Sequence, residues 1–230
     1  MSPGCLAFLI LFGFFILVPL FFMHAMLTAL ARLGLTPELA FLVLLGILLG
    51  GAINVPLKRI KREQDLVHNP FHIFGLERII PSDWSSSFRR RVSTHMVIAV
   101  NVGGCLIPVA VVLYEIFRVL DRGSYEIFIL VAVTGLNIAV CYRLARPIPN
   151  VGIGMPPLIP PLAAALPSLL FVPSFAPPVA FTAGVLGPVI GADLLHLKDI
   201  DRLQTGVVSI GGAGTFDGIV LSGMIAALLA

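Results

Sequence analysis

Val207-Val208-Ser209-Ile210-Gly211-Gly212-Ala213-Gly214-Thr215-Phe216-Asp217-Gly218 interrupts an apolar run, Thr205 to Leu229, that would otherwise be long enough to cross a membrane. The β-branched start favours extended backbone, and three glycines in the four residues from Gly211 to Gly214 weaken a helical ladder. The local expectation is an extended Val207 to Ile210, a breaker at Gly211 to Gly214, and a helix that restarts near Thr215. At such a restart Thr215 is a good cap, and Asp217 lies where the helix dipole stabilises a carboxylate. An unbroken helix from Thr205 would instead bury Asp217 about 18 Å deep, while Asp193 in the preceding apolar stretch sits about 6 Å from its helix end. The broken form brings both carboxylates to a similar depth.

An ionised carboxylate in hydrocarbon costs roughly 2.5 to 3.5 kcal/mol on insertion scales, so Asp193 and Asp217 are expected to serve a site. Composition supports hydrocarbon as the solvent. Of 230 residues, 58% are hydrophobic and 12% charged, and mean hydropathy is +1.02. The expected fold is all-α, a single integral membrane domain over 1–230 that bundles about seven spans. These are Cys5 to Leu30, Pro37 to Leu57, Met96 to Phe117, Tyr125 to Leu144, Val151 to Val172, Pro177 to Leu197 and Thr205 to Leu229. Helices are expected to break near 150–167, where Pro156, Pro157, Pro160, Pro161 and Pro167 cluster, and near 209–216. Cys5 to Leu30 lacks the charged start and small-residue cleavage site of a signal peptide and reads as a retained span. Cys5, Cys105 and Cys141 have no thiolate metal-site spacing.

Orientation follows from the basic residues. The 58–95 loop carries Lys58, Arg59, Lys61, Arg62, Arg78, Arg89, Arg90 and Arg91. Placed in the cytoplasm, it brings Arg143, Arg146, Lys198 and Arg202 to the same side and leaves only Arg32, Arg118 and Arg122 outside. The N-terminus is then cytoplasmic and the C-terminus outside. The net charge of +3 comes largely from this loop, so it reports on topology and not on nucleic acid. With Pro70, Pro81 and Trp84, the segment is expected to lie on anionic headgroups, with membrane lipids as partners of 58–91.

Polar residues recur at one depth. Asn54-Val55-Pro56 ends the second span, and Asn101-Val102-Gly103 and Asn150-Val151-Gly152 begin the third and fifth, the last two with a proline seven residues on from the asparagine. This is a weak internal repeat of the kind seen in duplicated membrane folds. Asn54, Asn101 and Asn150, with Gly212, Gly214 and Thr215, are the candidate lining of a polar pocket open to the cytoplasm. The plainer alternative is that asparagines at helix ends cap backbone or bridge helices. Ala183, Gly187 and Gly191 at four-residue spacing let another backbone approach, which makes the sixth span central. Asp193, His196 and Asp199, with His24 in addition, could present metal ligands. His196 is nevertheless expected to be a solvated boundary residue, and neither metal nor cofactor is assigned.

Gly191-Ala192-Asp193-Leu194-Leu195 and Ser209-Ile210-Gly211-Gly212-Ala213-Gly214-Thr215-Phe216-Asp217-Gly218-Ile219 closely resemble the C-terminal signature of a prokaryotic membrane family of unknown function, number 1614. That resemblance implies a bacterial or archaeal plasma-membrane protein and no particular activity. A fainter likeness is to intramembrane aspartyl proteases of the presenilin, signal peptide peptidase and prepilin peptidase type. Those enzymes pair one aspartate with a second in a Gly-x-Gly-Asp motif. Here Gly212-Ala213-Gly214 is followed by Asp217 two residues later than that motif requires, no tyrosine precedes Asp193, and Pro161-Leu162-Ala163 stands where Pro-Ala-Leu would.

Three functions stay open on sequence. In a di-aspartyl membrane hydrolase, or a relative that binds without cleaving, Asp193 and Asp217 would be catalytic. One would act as general base to a water and the other as general acid, on a membrane protein or peptide substrate. In a small-solute or ion transporter the same residues would take protons or cations. In a non-catalytic subunit they would hold helix ends together.

Overall fold

The computed structural model describes residues 3–67, 89–148, 152–202 and 207–230. Pro70, Pro81, Trp84 and Asn150 fall outside them. Among the described residues the chain forms α1 (Pro3–Arg32), α2 (Pro37–Gly50), β1 (Asn54–Val67), β2 (Arg89–Asn101), α3 (Ile107–Leu120), α4 (Ser124–Leu144), β3 (Arg146–Ile148), β4 (Gly152–Gly154), α5 (Ile159–Phe171), α6 (Ala176–Leu186), β5 (Val207–Ile210) and α7 (Gly218–Leu229). It is a helical bundle with one long pair of strands and three short strands at one end.

Four helical stretches are long and apolar enough to cross a membrane: Leu11–Arg32, Val102–Leu120, Ser124–Leu144 and Pro173–Lys198. The other three helices, α2, α5 and α7, have 14, 13 and 12 residues. Each covers only about 18 to 21 Å of the roughly 30 Å of hydrocarbon. Seven apolar segments are therefore helical, but three of them are partial crossings that end in non-helical backbone.

Both expected breaks are present. Before α5 the chain runs through β4 and a bend at the prolines. Before α7 it is extended from Val207 to Ile210, turns at Gly211 to Ala213, makes one 3-10 turn over Gly214–Phe216, and restarts at Gly218. The cap of that helix is Asp217, not Thr215: its side chain accepts the Ile219 N–H at 2.9 Å.

The second and third spans and the loop between them need correction. The second helix stops at Gly50 instead of Leu57, and the third begins at Val102 instead of Met96. The described part of the intervening chain is the antiparallel β1–β2 hairpin, paired from Asn54↔Asn101 to Val67↔Arg89, with β5 parallel on the far side of β2. An apolar run as short as Ile53–Leu57 or Met96–Val100 has no helical period of its own, and cross-strand pairing decides it.

The helices alternate in direction, so the bundle has two distinct ends. At one, Arg32 donates to the Leu228 carbonyl at 2.9 Å. Arg118 donates there to the Leu33 carbonyl and pairs with the fully buried Glu115 at 2.9 Å, and Arg118 and Arg122 lie over the Phe175 ring. The three arginines that sequence separates from the other twelve basic residues thus meet at this end, where Arg32 and Arg118 close carbonyl ends of helices and Arg122 covers Phe175. At the other end are the hairpin, β4, β5 and the carboxyl end of the sixth span. That span is central: all of α6 from Ala176 to Val185 is buried except Pro177, while Phe15 and Phe21 of α1 face outward.

Candidate functional site

The site is built where helices break. Beyond Leu186 the helix bearing Pro188 widens into a π-helical stretch, Gly187–Asp193, then tightens into a 3-10 segment, Leu194–Arg202. Pro188 lacks the N–H that a regular ladder needs, which accounts for an irregularity at this point. Asp193 ends the π-helical stretch and is half-buried. From the other side comes the β5 turn with Asp217.

Asp193 and Asp217 line one cavity of about 540 Å³, a size typical of ligand sites. Gly152 to Met155 form one wall of the cavity and Val207 to Ala213 another. Both walls are non-helical backbone, which in a bilayer is tolerated only where protein buries it or it borders a water-filled space.

The two carboxylates are held differently. Asp217 accepts N–H groups on both oxygens, from Ile219 at 2.9 Å and from Ala213 at 3.2 Å. One bond caps α7 and the other clamps the glycine-rich turn. Among the described residues nothing donates a hydrogen bond to the Asp193 carboxylate. Among the described residues Asp217 is therefore a fixed acceptor and Asp193 an uncommitted one.

Behind the Asp217 turn, backbones meet without side chains between them. A Cβ on Gly104 would stand 2.0 Å from the Gly211 carbonyl oxygen, and one on Gly103 would stand 2.1 Å from that of Ile47. Gly214 packs on Gly51. The end of α2, the π-helical turn Val102–Leu106 that leads into α3, and the turn before α7 are thus stacked. Asn101, fully buried, stitches them: its Nδ2 donates to the Gly51 carbonyl at 2.8 Å and to Asn54 Oδ1 at 3.1 Å, and its Oδ1 accepts the Gly104 N–H at 2.7 Å. Ser209, on the cavity wall, donates to Asn54 Oδ1.

The structure therefore brings Asp193, Asp217 and Gly212 to the cavity wall. Gly214 and Thr215 are buried beside it. Asn54 and Asn101 form a bracing pair one hydrogen bond removed through Ser209, and their recurrence reflects register, since they are cross-strand partners. Asn150, and with it the third Asn-Val pair, lies outside the described residues. His196 is a correction: it is buried, with Nδ1 at 3.1 Å from the Gly191 carbonyl and its ring against Tyr142. Leu194, Leu195 and Lys198 around it are exposed, so of these four residues His196 alone lies on the inner side of the 3-10 segment, which hydropathy does not reveal. His24 is exposed on α1.

Sequence reading missed Asn137, which is fully buried in α4 and donates to the Ala183 carbonyl at 2.8 Å. Its signal was a lone amide in the middle of an apolar helix.

The model of a protein family described as a protein of unknown function, DUF1614, matches residues 48–229. The chain belongs to DUF1614. The match takes in the hairpin, the π-helical stretch and both aspartates, so the cavity lies wholly within the shared region. No curated protein and no solved structure matches the chain. This DUF1614 protein is a membrane protein by its apolar helices.

Proposed function

We propose that this DUF1614 protein is a di-aspartyl membrane hydrolase that cleaves an unwound segment of a membrane peptide. The observation that carries the reading is the meeting of Asp193 and Asp217 on one cavity bordered by strands. Both carboxylates border a space large enough for a water and a peptide. β5 pairs on one side with β2 and β4 with β3; among the described residues neither has a second partner. Such edges favour an extended backbone, and the segment opposite the four residues of β5 would be about 13 Å long.

In this mechanism water adds to the peptide carbonyl carbon as one carboxylate takes its proton and the other, protonated, donates to the carbonyl oxygen. Collapse of the diol then breaks the C–N bond and the amine leaves with a proton. An ionised carboxylate is acceptor-only, which suits Asp217 with its two N–H donors, and the shared proton is assigned to Asp193.

The experiment is direct. Purified protein in nanodiscs, given single-span peptides labelled at both ends, is expected to release two fragments whose cut lies within the membrane segment. A hydroxyl-bearing peptide isostere should block release. The second reading, a proton- or cation-coupled transporter, is favoured by α7 starting as a partial helix at the cavity. Failure to cut any peptide, together with carbodiimide-sensitive flux in proteoliposomes, would replace the first reading with the second.

We further propose that the hairpin end is cytoplasmic and that its basic residues meet anionic headgroups. The structure groups Lys58, Arg59, Arg143, Arg146 and Lys198 at the end opposite Arg32, Arg118 and Arg122, which supports the charge argument. A single cysteine at position 75, outside the described residues, should react with an impermeant maleimide only after the cells are opened. Labelling in intact cells would invert the topology.

A further inference from the structure

We infer that Asn137 is the positioning residue for Asp193, acting through the switch from α-helix to π-helix at Gly187. The inference rests on Asp193 being the uncommitted carboxylate of the proposed site. The Asn137 amide meets the sixth span where it changes pitch: Nδ2 donates to the Ala183 carbonyl at 2.8 Å, and a Cβ on Gly187 would stand 2.5 Å from the same nitrogen. The Ala183 carbonyl accepts the last regular helical N–H, from Gly187, and Pro188, the next residue, has no N–H with which to carry the ladder on. Asn137 adds a second donor from the neighbouring helix at that junction.

The contact continues one turn along α4. Cys141, also fully buried, lies at 3.9 Å from Asn137 Oδ1 and packs with Ala192, next to Asp193. Gly191 lies against the Ile138 carbonyl, with no room for a Cβ. Asn137, Ile138 and Cys141 therefore grip the whole stretch from Ala183 to Ala192. Direction is what the grip sets. Residues in an α-helix advance by about 100° each, so relaxation of the widened stretch toward an ordinary helix would turn Asp193 off the cavity wall by a large part of a turn.

The test reads Asp193 without requiring turnover. Wild-type protein is treated with a hydrophobic carbodiimide and the adducts at Asp193 and Asp217 are quantified by mass spectrometry across pH. Asn137→Leu keeps the volume and removes the donor. It should lower the rate of Asp193 modification about tenfold and shift its pH profile, with Asp217 modified at the wild-type rate. Asn137→Gln, which keeps an amide, should recover much of the Asp193 rate. An unchanged ratio of the two adducts in Asn137→Leu would overturn the inference, as would parallel changes at both sites, the mark of general loosening. If Asn137→Leu does not fold, Asn137→Ser is read in its place, and a wild-type ratio with a wild-type pH profile in that variant would equally defeat the inference. A wild-type protein that cleaves nothing would remove the hydrolase reading and leave this result intact.

Discussion

Asp193→Asn should lower peptide cleavage by about 10²- to 10⁴-fold, the usual contribution of a positioned acid or base, while the protein unfolds at the wild-type temperature or above. The stability half follows from the absence of any donor to Asp193 among the described residues: among them the substitution breaks no hydrogen bond, and it replaces a protonated acid by a neutral amide of the same shape. Asp217→Ala should lose activity and stability together. It frees the N–H groups of Ile219 and Ala213, for about 1 to 3 kcal/mol between the lost helix cap and the unpaired donors. Asp217→Asn separates the two effects, because its one carbonyl oxygen still caps α7. It should keep most of the stability and none of the activity, and joined to Asp193→Asn it should be no worse than either alone. Thermal unfolding in detergent beside the cleavage assay checks all four proteins. A purely architectural pair would show activity falling only in step with stability, and that outcome would sink the catalytic assignment.

Gly104→Ala and Gly211→Ala should each leave little folded protein. The added carbon on Gly104 would lie 2.0 Å from the Gly211 oxygen, and that on Gly211 would lie 2.6 Å from the Gly104 carbonyl carbon. Neither contact is with a flexible side chain, so two backbone segments must separate, at about 1 to 3 kcal/mol for overpacking. At Gly211, with φ of 71°, the left-handed conformation adds about 1 to 2 kcal/mol. Separation also strains the Asn101 hydrogen bond to Gly104. Gly135→Ala, in a helix with nothing within 4 Å of the new carbon, is the matched control and should be neutral or slightly stabilising. The yield of monodisperse protein after gel filtration distinguishes them, and wild-type recovery of Gly104→Ala would refute the stacked-backbone account.

Much of this arrangement was legible in the chain. The extended run and glycines before Asp217 report their own local conformation, because β-branching and the missing side chain act within a few residues. The ends of α4 and the centrality of α6 follow from hydropathy and from small residues, which act through one helix at a time. The β1–β2 hairpin was not legible in the same way. Its apolar roots, Ile53–Leu57 and Met96–Val100, merge into the adjoining apolar helices in any hydropathy reading, and only their pairing with one another and with β5 makes them strands. Asn137 was missed and His196 misjudged for a related reason: each meets a carbonyl at or within the π-helical stretch of the sixth span, and no residue count reveals where that stretch lies. Asp193 and Asp217 stood out as isolated charges, but the inequality between them depends on which backbone N–H groups lie nearby.

The parallel pairing of Val97 with Val207 joins residues nearly half the chain apart, and that fixes an order of events during synthesis. At about 5 to 20 residues per second, β2 leaves the ribosome roughly 5 to 20 s before β5 exists to cover its second edge. Until then the hairpin carries an open row of peptide groups, and contacts of such long sequence separation are slow to close. The cavity, walled by β5, is accordingly completed late, so chains that stop short of Val207 would present the membrane quality-control proteases with an unfinished sheet edge.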